Sequence, residues 1–246
     1  MKRITALFHF LVTALIIIHI SVCSEFFGGT QIWSYLTYLC EACFLVVFLQ
    51  FLMKVHRLNS LEKLGLFWFI FLLIISLLYS IPTKNVVALI GRTIEIATIL
   101  MIIDLNKNDL RPYLLAGSLA FSVCVYINFF LLLENPSGMI GKDGEPFYFL
   151  GTNYNQIGIK VILGYIFSIF LLKRYKLFSI LNIIAVSATG LISLLIVGSM
   201  TSTVSFCLLI LITFNSYSRR LNDFISKGLL LFIVFFQIYK FLTNTF

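Results

Sequence analysis

Charged residues are scarce in this chain. Asp, Glu, Lys and Arg make up only 11% of its 246 residues, whereas they make up about a quarter of a typical soluble domain. Apolar residues make up 60%, and 26 of them are phenylalanines. So few charges exclude an ordinary soluble domain and favour a protein that lies in a lipid bilayer.

The sequence also lacks the motifs that many soluble enzymes carry. No serine lies in a nucleophile-elbow sequence, and no glycine-rich phosphate loop is present. The three histidines are scattered, and Cys40-x-x-Cys43 has no histidine or second cysteine pair nearby in sequence. We therefore expect neither a metal nor a cofactor. No basic cluster with interleaved aromatics lies outside the apolar runs, which argues against nucleic-acid binding.

The chain consists instead of nine long apolar runs. Each has about 17–23 residues, the length that a helix needs to cross roughly 30 Å of hydrocarbon. Backbone polar groups in lipid must be satisfied within each element, so the runs predict helices. They cover residues 4–22, 31–53, 64–81, 86–103, 113–133, 156–172, 177–197, 201–217 and 228–246. We predict an all-α, polytopic integral membrane protein with nine transmembrane helices, residues 1–246 forming a single transmembrane domain.

Basic residues between the runs predict the orientation. Thirteen of the eighteen lysines and arginines precede the first run or lie in every second gap: Lys2, Arg3, Lys54, Arg57, Lys63, Lys107, Arg111, Lys173, Arg174, Lys176, Arg219, Arg220 and Lys227. By the positive-inside rule, the N-terminus is cytoplasmic and the C-terminus is outside. The first run is too long for a typical signal-peptide core and lacks a cleavage site after it, so we expect an uncleaved helix.

Four ionisable residues lie inside the predicted spans, namely Glu41, Arg92, Glu95 and Lys160. Charges there are costly and usually face the bundle interior, so they are candidates for function. Arg92 and Glu95 share a helix face, so they can pair with each other. The pair either fixes the packing of the helices or has a functional role. Lys160 lies near the predicted outer end of its span, where it either snorkels to the interface or binds a ligand.

The longest predicted external loop covers residues 134–155. Phe147, Tyr148 and Phe149 in its second half suit a segment at the membrane interface. An amide-rich run follows, directly before the helix that carries Lys160, and comprises Thr152, Asn153, Asn155 and Gln156. A helix N-terminus beside a lysine favours anions, and side-chain amides suit sugar hydroxyls.

A second polar external connection covers residues 198–203 and is small, neutral and hydroxyl-rich. It is either a loop or a break in a helix, since hydroxyls can satisfy backbone groups that a break sets free. Ala185, Thr189 and Ser193 recur every four residues before it and favour close helix packing. The predicted orientation puts this connection, the amide-rich run and both cations on the outer side, where a substrate has already crossed the membrane.

Two short segments carry a resemblance to a known family. Gly-Thr-Asn-Tyr-Asn-Gln-Ile-Gly at 151–158 heads a predicted helix, and Val-Gly-Ser-Met-Thr-Ser at 197–202 follows about forty residues later. Together they resemble the O-antigen polymerase and O-antigen ligase superfamily of bacterial polysaccharide assembly, over roughly residues 60–215. An arginine usually follows the serine in that family, whereas this chain has Met200. Family members also usually extend further and have a larger outer loop.

The resemblance implies a multi-pass enzyme of the bacterial plasma (inner) membrane. Such enzymes move a glycan from a polyprenyl diphosphate carrier to an acceptor on the outer face, without a metal or a nucleotide sugar. Arg92 and Lys160 would then neutralise the diphosphate, and Glu95 with Arg92 would be catalytic. Substrate binding would also involve Asn153, Asn155, Gln156 and Ser199. The implied partners are the polyprenyl-diphosphate-linked glycan, membrane lipid, and a chain-length regulator or flippase, with no nucleic acid.

Three functions stay open from the sequence. The first is polymerisation of lipid-linked O-antigen, capsule or exopolysaccharide units. The second is a flippase for lipid-linked glycans or another secondary transporter, although no internal repeat is evident and the charges lean to one leaflet. The third is a non-catalytic, truncated relative of the polymerase, which Met200 and the greater length of the family both favour.

Overall fold

The structure is a computed structural model. It describes residues 2–27, 30–54, 83–141, 144–171 and 175–217, and also the five helical positions 67, 70, 71, 74 and 75. This part is mostly helical, as predicted. Its seven helices are α1 (Lys2–Ser21), α2 (Gln31–Lys54), α3 (Thr83–Leu105), α4 (Arg111–Glu134), α5 (Tyr154–Phe170), α6 (Lys176–Val197) and α7 (Met200–Tyr217). An antiparallel hairpin of β1 (Met139–Ile140) and β2 (Pro146–Phe147) lies between α4 and α5.

Four of these helices, α1, α2, α4 and α6, are long and apolar enough to cross a membrane, by length and composition. Two more, α5 and α7, are shorter apolar helices. The seven helices correspond within a few residues to seven of the nine predicted runs. Run 228–246 lies outside the described residues, and run 64–81 lies almost wholly outside them. The count of nine spans and the orientation therefore stay predictions.

Local sequence explains where α4 begins and where α6 ends. Pro112 lies in the first turn of α4, where its missing N–H leaves no helical hydrogen bond unmade. Gly198 ends α6 with φ of 75°, a left-handed conformation that suits glycine. α7 begins two residues later, and Ser199 O accepts hydrogen bonds from the backbone and hydroxyl of Thr203. α6 runs antiparallel to α5, since Gly190 packs on Val161 and Asn182 binds Ser168, whereas α7 runs parallel to it, since Ser202 packs on Gly158 and Phe206 on Tyr165. The polar connection at 198–203 is thus a tight turn at Gly198 and Ser199 between two antiparallel helices, and not a break in one helix.

Contacts between helices define two ends of the bundle. At one end, His9 of α1 contacts Gln50 near the C-terminus of α2 and Asn106 just after α3. At the other end, His19 of α1 contacts Thr37 in the first half of α2 and Glu95 near the middle of α3. We call these the His9 end and the His19 end. α2 and α3 therefore run in the same direction, as the prediction of a further span between them requires.

Glycines allow α5 to pack closely against α6 and α7. The Ser202 hydroxyl oxygen lies 2.1 Å from the position that a Cβ on Gly158 would take. Val161 similarly lies 2.4 Å from a Cβ position on Gly190 of α6. Because any side chain at these glycines would overlap a neighbour, the main core between α4 and α7 depends on them. Gly190 of α6 lies next to Thr189 of the predicted stripe of small residues.

Candidate functional site

The two predicted cations meet at the last turn of α1. Arg92 of α3 donates from Nη1 to the carbonyl of His19 over 3.3 Å. Lys160 of α5 donates from Nζ to the carbonyl of Ile20 over 3.2 Å. The last carbonyls of a helix lack intrahelical partners and form the negative end of its dipole, so cations are favoured there. The end of α1 therefore positions Arg92 and Lys160 near one another.

Glu95 lies between Arg92 and His19. Its Oε2 accepts a hydrogen bond of 2.9 Å from Arg92 Nη1, and its Oε1 contacts His19 Nδ1. Only 6% of the Glu95 side chain is exposed, against 37% for Arg92. The predicted pair of Arg92 and Glu95 is present, and His19, which was not among the predicted site residues, joins it. The carboxylate is enclosed, whereas the guanidinium faces the outside of the cluster.

The other face of His19 packs against α2. Its Nε2 lies 3.2 Å from Thr37 Oγ1, whose hydroxyl donates to the Trp33 carbonyl over 3.0 Å. The Trp33 ring stacks on the imidazole with centroids 4.4 Å apart. Cys40, one turn further along α2, is also close to His19 and Glu95. We call His19, Cys40, Arg92, Glu95 and Lys160 the His19 cluster.

The His19 cluster carries an excess of positive charge. Its described contacts bring the two cations Arg92 and Lys160 together with one carboxylate, that of Glu95. Lys160 and Arg92 are close enough for their charges to interact. Buried charges that are not balanced are costly in a membrane protein. The cluster therefore favours a bound anion beside the partly exposed guanidinium.

An apolar groove lies close to the end of α1 where the two cations bind, although neither cation lines it. It has a volume of about 340 Å³ and is lined by residues of α1, α3, α4 and α5. Ile20, whose carbonyl binds Lys160, is part of the lining. Ile99 and Phe167 lie seven residues beyond Arg92 and Lys160, which places them about two turns further along the same helix faces. The full lining is Thr13, Ile17, Ile20, Ile99, Ile102, Ile103, Leu110, Tyr113, Leu114, Phe121, Leu163 and Phe167. The site is thus cationic at one end and apolar along its length.

Comparison with known proteins assigns no function to this site. Comparison with protein-family models, curated proteins and solved structures finds no match. The segments 151–158 and 197–202 therefore carry the resemblance by themselves. They touch in the structure, since Ser202 packs against Gly158, two residues before Lys160.

The amide-rich run before α5 forms a helix cap. Asn153 Oδ1 accepts hydrogen bonds of 3.1 Å from the backbone N–H groups of Asn155 and Gln156. Gln156 Oε1 in turn accepts one of 3.1 Å from the Thr152 N–H. This reciprocal arrangement resembles a capping box and occupies N–H groups that an anion would need. The structure thus favours a structural role for Asn153 and Gln156, while the exposed Asn155 side chain stays a candidate for substrate binding.

Two further predicted residues lie apart from the cluster. Ser199 is buried at the turn between α6 and α7, and its hydroxyl has no hydrogen-bond partner among the described residues. Glu41 is exposed on α2, next in sequence to Cys40. Neither residue takes part in the contacts that join His19, Arg92 and Lys160. A role for Ser199 in substrate binding stays a prediction that the geometry does not support.

The aromatic residues of the long loop cover the His19 end. Phe147 and Phe149 are buried against the protein rather than exposed on its surface. The prediction that their segment lies at the membrane interface stays a prediction. Both rings pack edge-on against Phe26, and the Phe149 carbonyl accepts a hydrogen bond of 2.8 Å from Cys23. Burial raises the pKa of the Tyr148 phenol and of the Cys23 thiol, so both stay neutral at neutral pH. The loop thus forms an apolar layer over the end of α1.

Proposed function

We propose that this chain binds a polyprenyl-diphosphate-linked glycan and transfers the glycan to an acceptor, polymerising O-antigen, capsule or exopolysaccharide repeat units. The observation that carries the proposal is the proximity of two cations to an apolar groove. A diphosphate has the charge that Arg92 and Lys160 leave unbalanced. An isoprenoid chain has the apolar character of the groove that begins at Ile20. One amphiphilic carrier would therefore occupy both parts of the site.

The proposed reaction is a glycosyl transfer. An acceptor hydroxyl oxygen bonds to the anomeric carbon of the donor sugar, the bond from that carbon to the diphosphate breaks, and the hydroxyl proton passes to a base. The diphosphate gains negative charge as it leaves. Arg92 and Lys160 would therefore stabilise the transition state more than the bound substrate. Holding donor and acceptor together would supply a further part of the rate.

Glu95 is proposed to act through Arg92. Both of its carboxylate oxygens are engaged, one by Arg92 and one by His19. Its side chain is almost wholly enclosed. These contacts support a positioning role, in which Glu95 fixes the direction of the guanidinium, more than they support direct contact with an acceptor hydroxyl.

The transporter alternative has less support. Secondary transporters place their charges near the middle of the membrane at the interface between repeats. The carbonyls that Arg92 and Lys160 bind lie in the last turn of α1, near one end of that helix. Transport of a lipid-linked glycan into vesicles that contain only this protein would nevertheless favour the transporter over the polymerase.

Surface-glycan length tests the proposal. A deletion strain should make surface glycan with a single repeat unit, and the wild-type chain should restore the long-chain ladder on a gel. Arg92→Ala and Lys160→Ala should each slow polymerisation by about 100-fold or more, as removal of one group that stabilises charge in a transition state does. Both variants should therefore give single-unit glycan with normal amounts of protein in the membrane.

Lys107→Ala provides the matched control, because it removes an exposed positive charge just after α3, far along that helix from Arg92. It should leave the ladder unchanged. A normal ladder from the deletion strain would refute the proposed function. A normal ladder from both Arg92→Ala and Lys160→Ala would refute the site and leave the function open to another site.

A further inference from the structure

Three side chains of types that bind transition metals converge at the end of α1. A ring nitrogen of His19, the sulfur of Cys40 and a carboxylate oxygen of Glu95 all lie within 4.8 Å of one another. They come from α1, α2 and α3, and all three are buried. A tetrahedral zinc ion places its ligand atoms about 3.4 Å apart. Small side-chain adjustments, in which His19 and Glu95 separate slightly, would match that spacing.

The hydrogen bonds around His19 leave a place for a cation between His19 and Glu95. The Thr37 hydroxyl donates to the Trp33 carbonyl, so its oxygen can accept from His19 Nε2. With the ring proton on Nε2, Nδ1 presents a lone pair to Glu95 Oε1. A proton or a metal ion between these two atoms would then bridge them.

We infer that His19 Nδ1, Cys40 Sγ and Glu95 Oε1 form a binding site for Zn²⁺ or a similar divalent transition-metal ion. Imidazole nitrogen, thiolate sulfur and carboxylate oxygen are all zinc ligands. Three protein ligands leave a fourth position for water. The ion would hold three helices together at the His19 end. This inference goes beyond the proposed function, because it concerns an ion site and does not depend on a glycan.

Two of the ligands would balance the charge of the ion. Binding of a divalent ion releases the thiol proton of Cys40. The two positive charges of the ion would then face one thiolate and one carboxylate. The ion together with these two ligands would therefore present no net charge to Arg92 and Lys160.

The neighbours of the ligands already match those of known metal sites. A metal-bound histidine usually donates its other ring N–H to a nearby acceptor, and His19 does so to Thr37. A metal-bound carboxylate is usually hydrogen-bonded as well, and the second oxygen of Glu95 accepts from Arg92. Both ligands are thus oriented before any ion binds.

Cobalt binding tests the inference. The protein would be purified in detergent, stripped with a chelator and titrated with Co²⁺, whose thiolate complexes absorb strongly in the near ultraviolet. The wild-type protein should bind one Co²⁺ with this band, and added Zn²⁺ should abolish it by displacement. Cys40→Ser should lose the band. Cys43→Ser, on the same helix and only half-buried, should keep it.

Several outcomes would overturn the inference. A folded wild-type protein without the band would mean that a proton bridges His19 and Glu95. A band that survives Cys40→Ser, or that Cys43→Ser abolishes, would assign the ion to other ligands. If Cys40→Ser does not fold, X-ray absorption of the zinc-loaded wild type decides. One sulfur neighbour, with nitrogen or oxygen neighbours besides, supports the inference, whereas two sulfurs or none would reject it.

Discussion

His9 and His19 lie on the same helix, and both are buried, but their surroundings differ in charge. His9 accepts a hydrogen bond of 2.9 Å from Asn106, and its other ring nitrogen lies 2.6 Å from the Gln50 side-chain oxygen. His19 instead contacts the carboxylate of Glu95, beside two cations. Each histidine joins α1 to α2 and α3. His9 is therefore hydrogen-bonded to neutral groups, whereas His19 contacts a charged one.

The difference separates polar contacts that hold helices together from those that suit a ligand. At the His9 end, the amide groups and the imidazole satisfy one another, and no further partner is needed. At the His19 end, the charges do not balance, and Arg92 is 37% exposed close to an apolar groove. Unbalanced charge within a membrane span is costly and usually marks a functional site. The neutral end is therefore structural, and the charged end is the candidate for function.

A third polar group, between α4, α5 and α6, follows the neutral pattern. The Asn182 amide donates to Ser122 and Ser168 over 2.7 and 2.8 Å, and its oxygen accepts from Tyr126 over 2.7 Å. Donors and acceptors are again matched without any charge. Interhelical hydrogen bonds of this kind stabilise membrane bundles. Asn182 therefore belongs with His9 among the structural groups.

The largest effect on stability is expected from Glu95→Gln. This change leaves Arg92 without its anion. Breaking a buried ion pair costs about 3–5 kcal/mol, and the 37% exposure of the Arg92 side chain reduces this to about 2–4 kcal/mol. The free energy of unfolding of the purified protein in detergent should fall by that amount. Glu134→Gln removes an exposed carboxylate at the end of α4 and should change it by less than about 0.5 kcal/mol. Equal stability of the two variants would show that charge balance does not hold the His19 end together.

A smaller effect is expected from His9→Leu. It leaves the Gln50 oxygen without its donor and removes the acceptor of one Asn106 hydrogen bond, which costs about 1–3 kcal/mol. The long-chain ladder per folded protein should nevertheless be normal, in contrast to Arg92→Ala. Thermal unfolding and the ladder, each normalised to the amount of protein in the membrane, measure the two effects. Loss of the ladder at a normal protein level would show that the His9 end also serves the reaction.

Most of the helices could be predicted, because a long apolar run is a direct and local signal. The sequence left two alternatives open for the connection at Gly198, and the structure has a short turn there rather than a broken helix. Its glycine is the residue that a left-handed helix end favours. The burial of Phe147 and Phe149 could not be predicted in this way. It depends on contact with Phe26, which lies in a distant connection.

The site was predictable only in part for the same reason. Arg92 and Glu95 lie three residues apart on one helix, so their pairing follows from the helical repeat. Lys160 and His19 join them only because α1 lies against both α3 and α5, and no local pattern encodes those contacts. An ionisable histidine in the last turn of an apolar run was the available signal for His19, since such a residue needs a partner.

The smallest effects should come from the amide-rich run, where they separate a structural role from a binding role. Asn153→Ala removes the cap of α5 and should lower the free energy of unfolding by about 1 kcal/mol. Asn155→Ala leaves the backbone cap intact and should change stability by less than about 0.5 kcal/mol. A shortened glycan ladder from Asn155→Ala alone, measured at equal protein levels, would assign its exposed amide to substrate binding. Unchanged ladders from both variants would show that neither amide binds the glycan. The cap would then serve only to begin the helix that carries Lys160, and substrate binding in this region would depend on the cations Arg92 and Lys160.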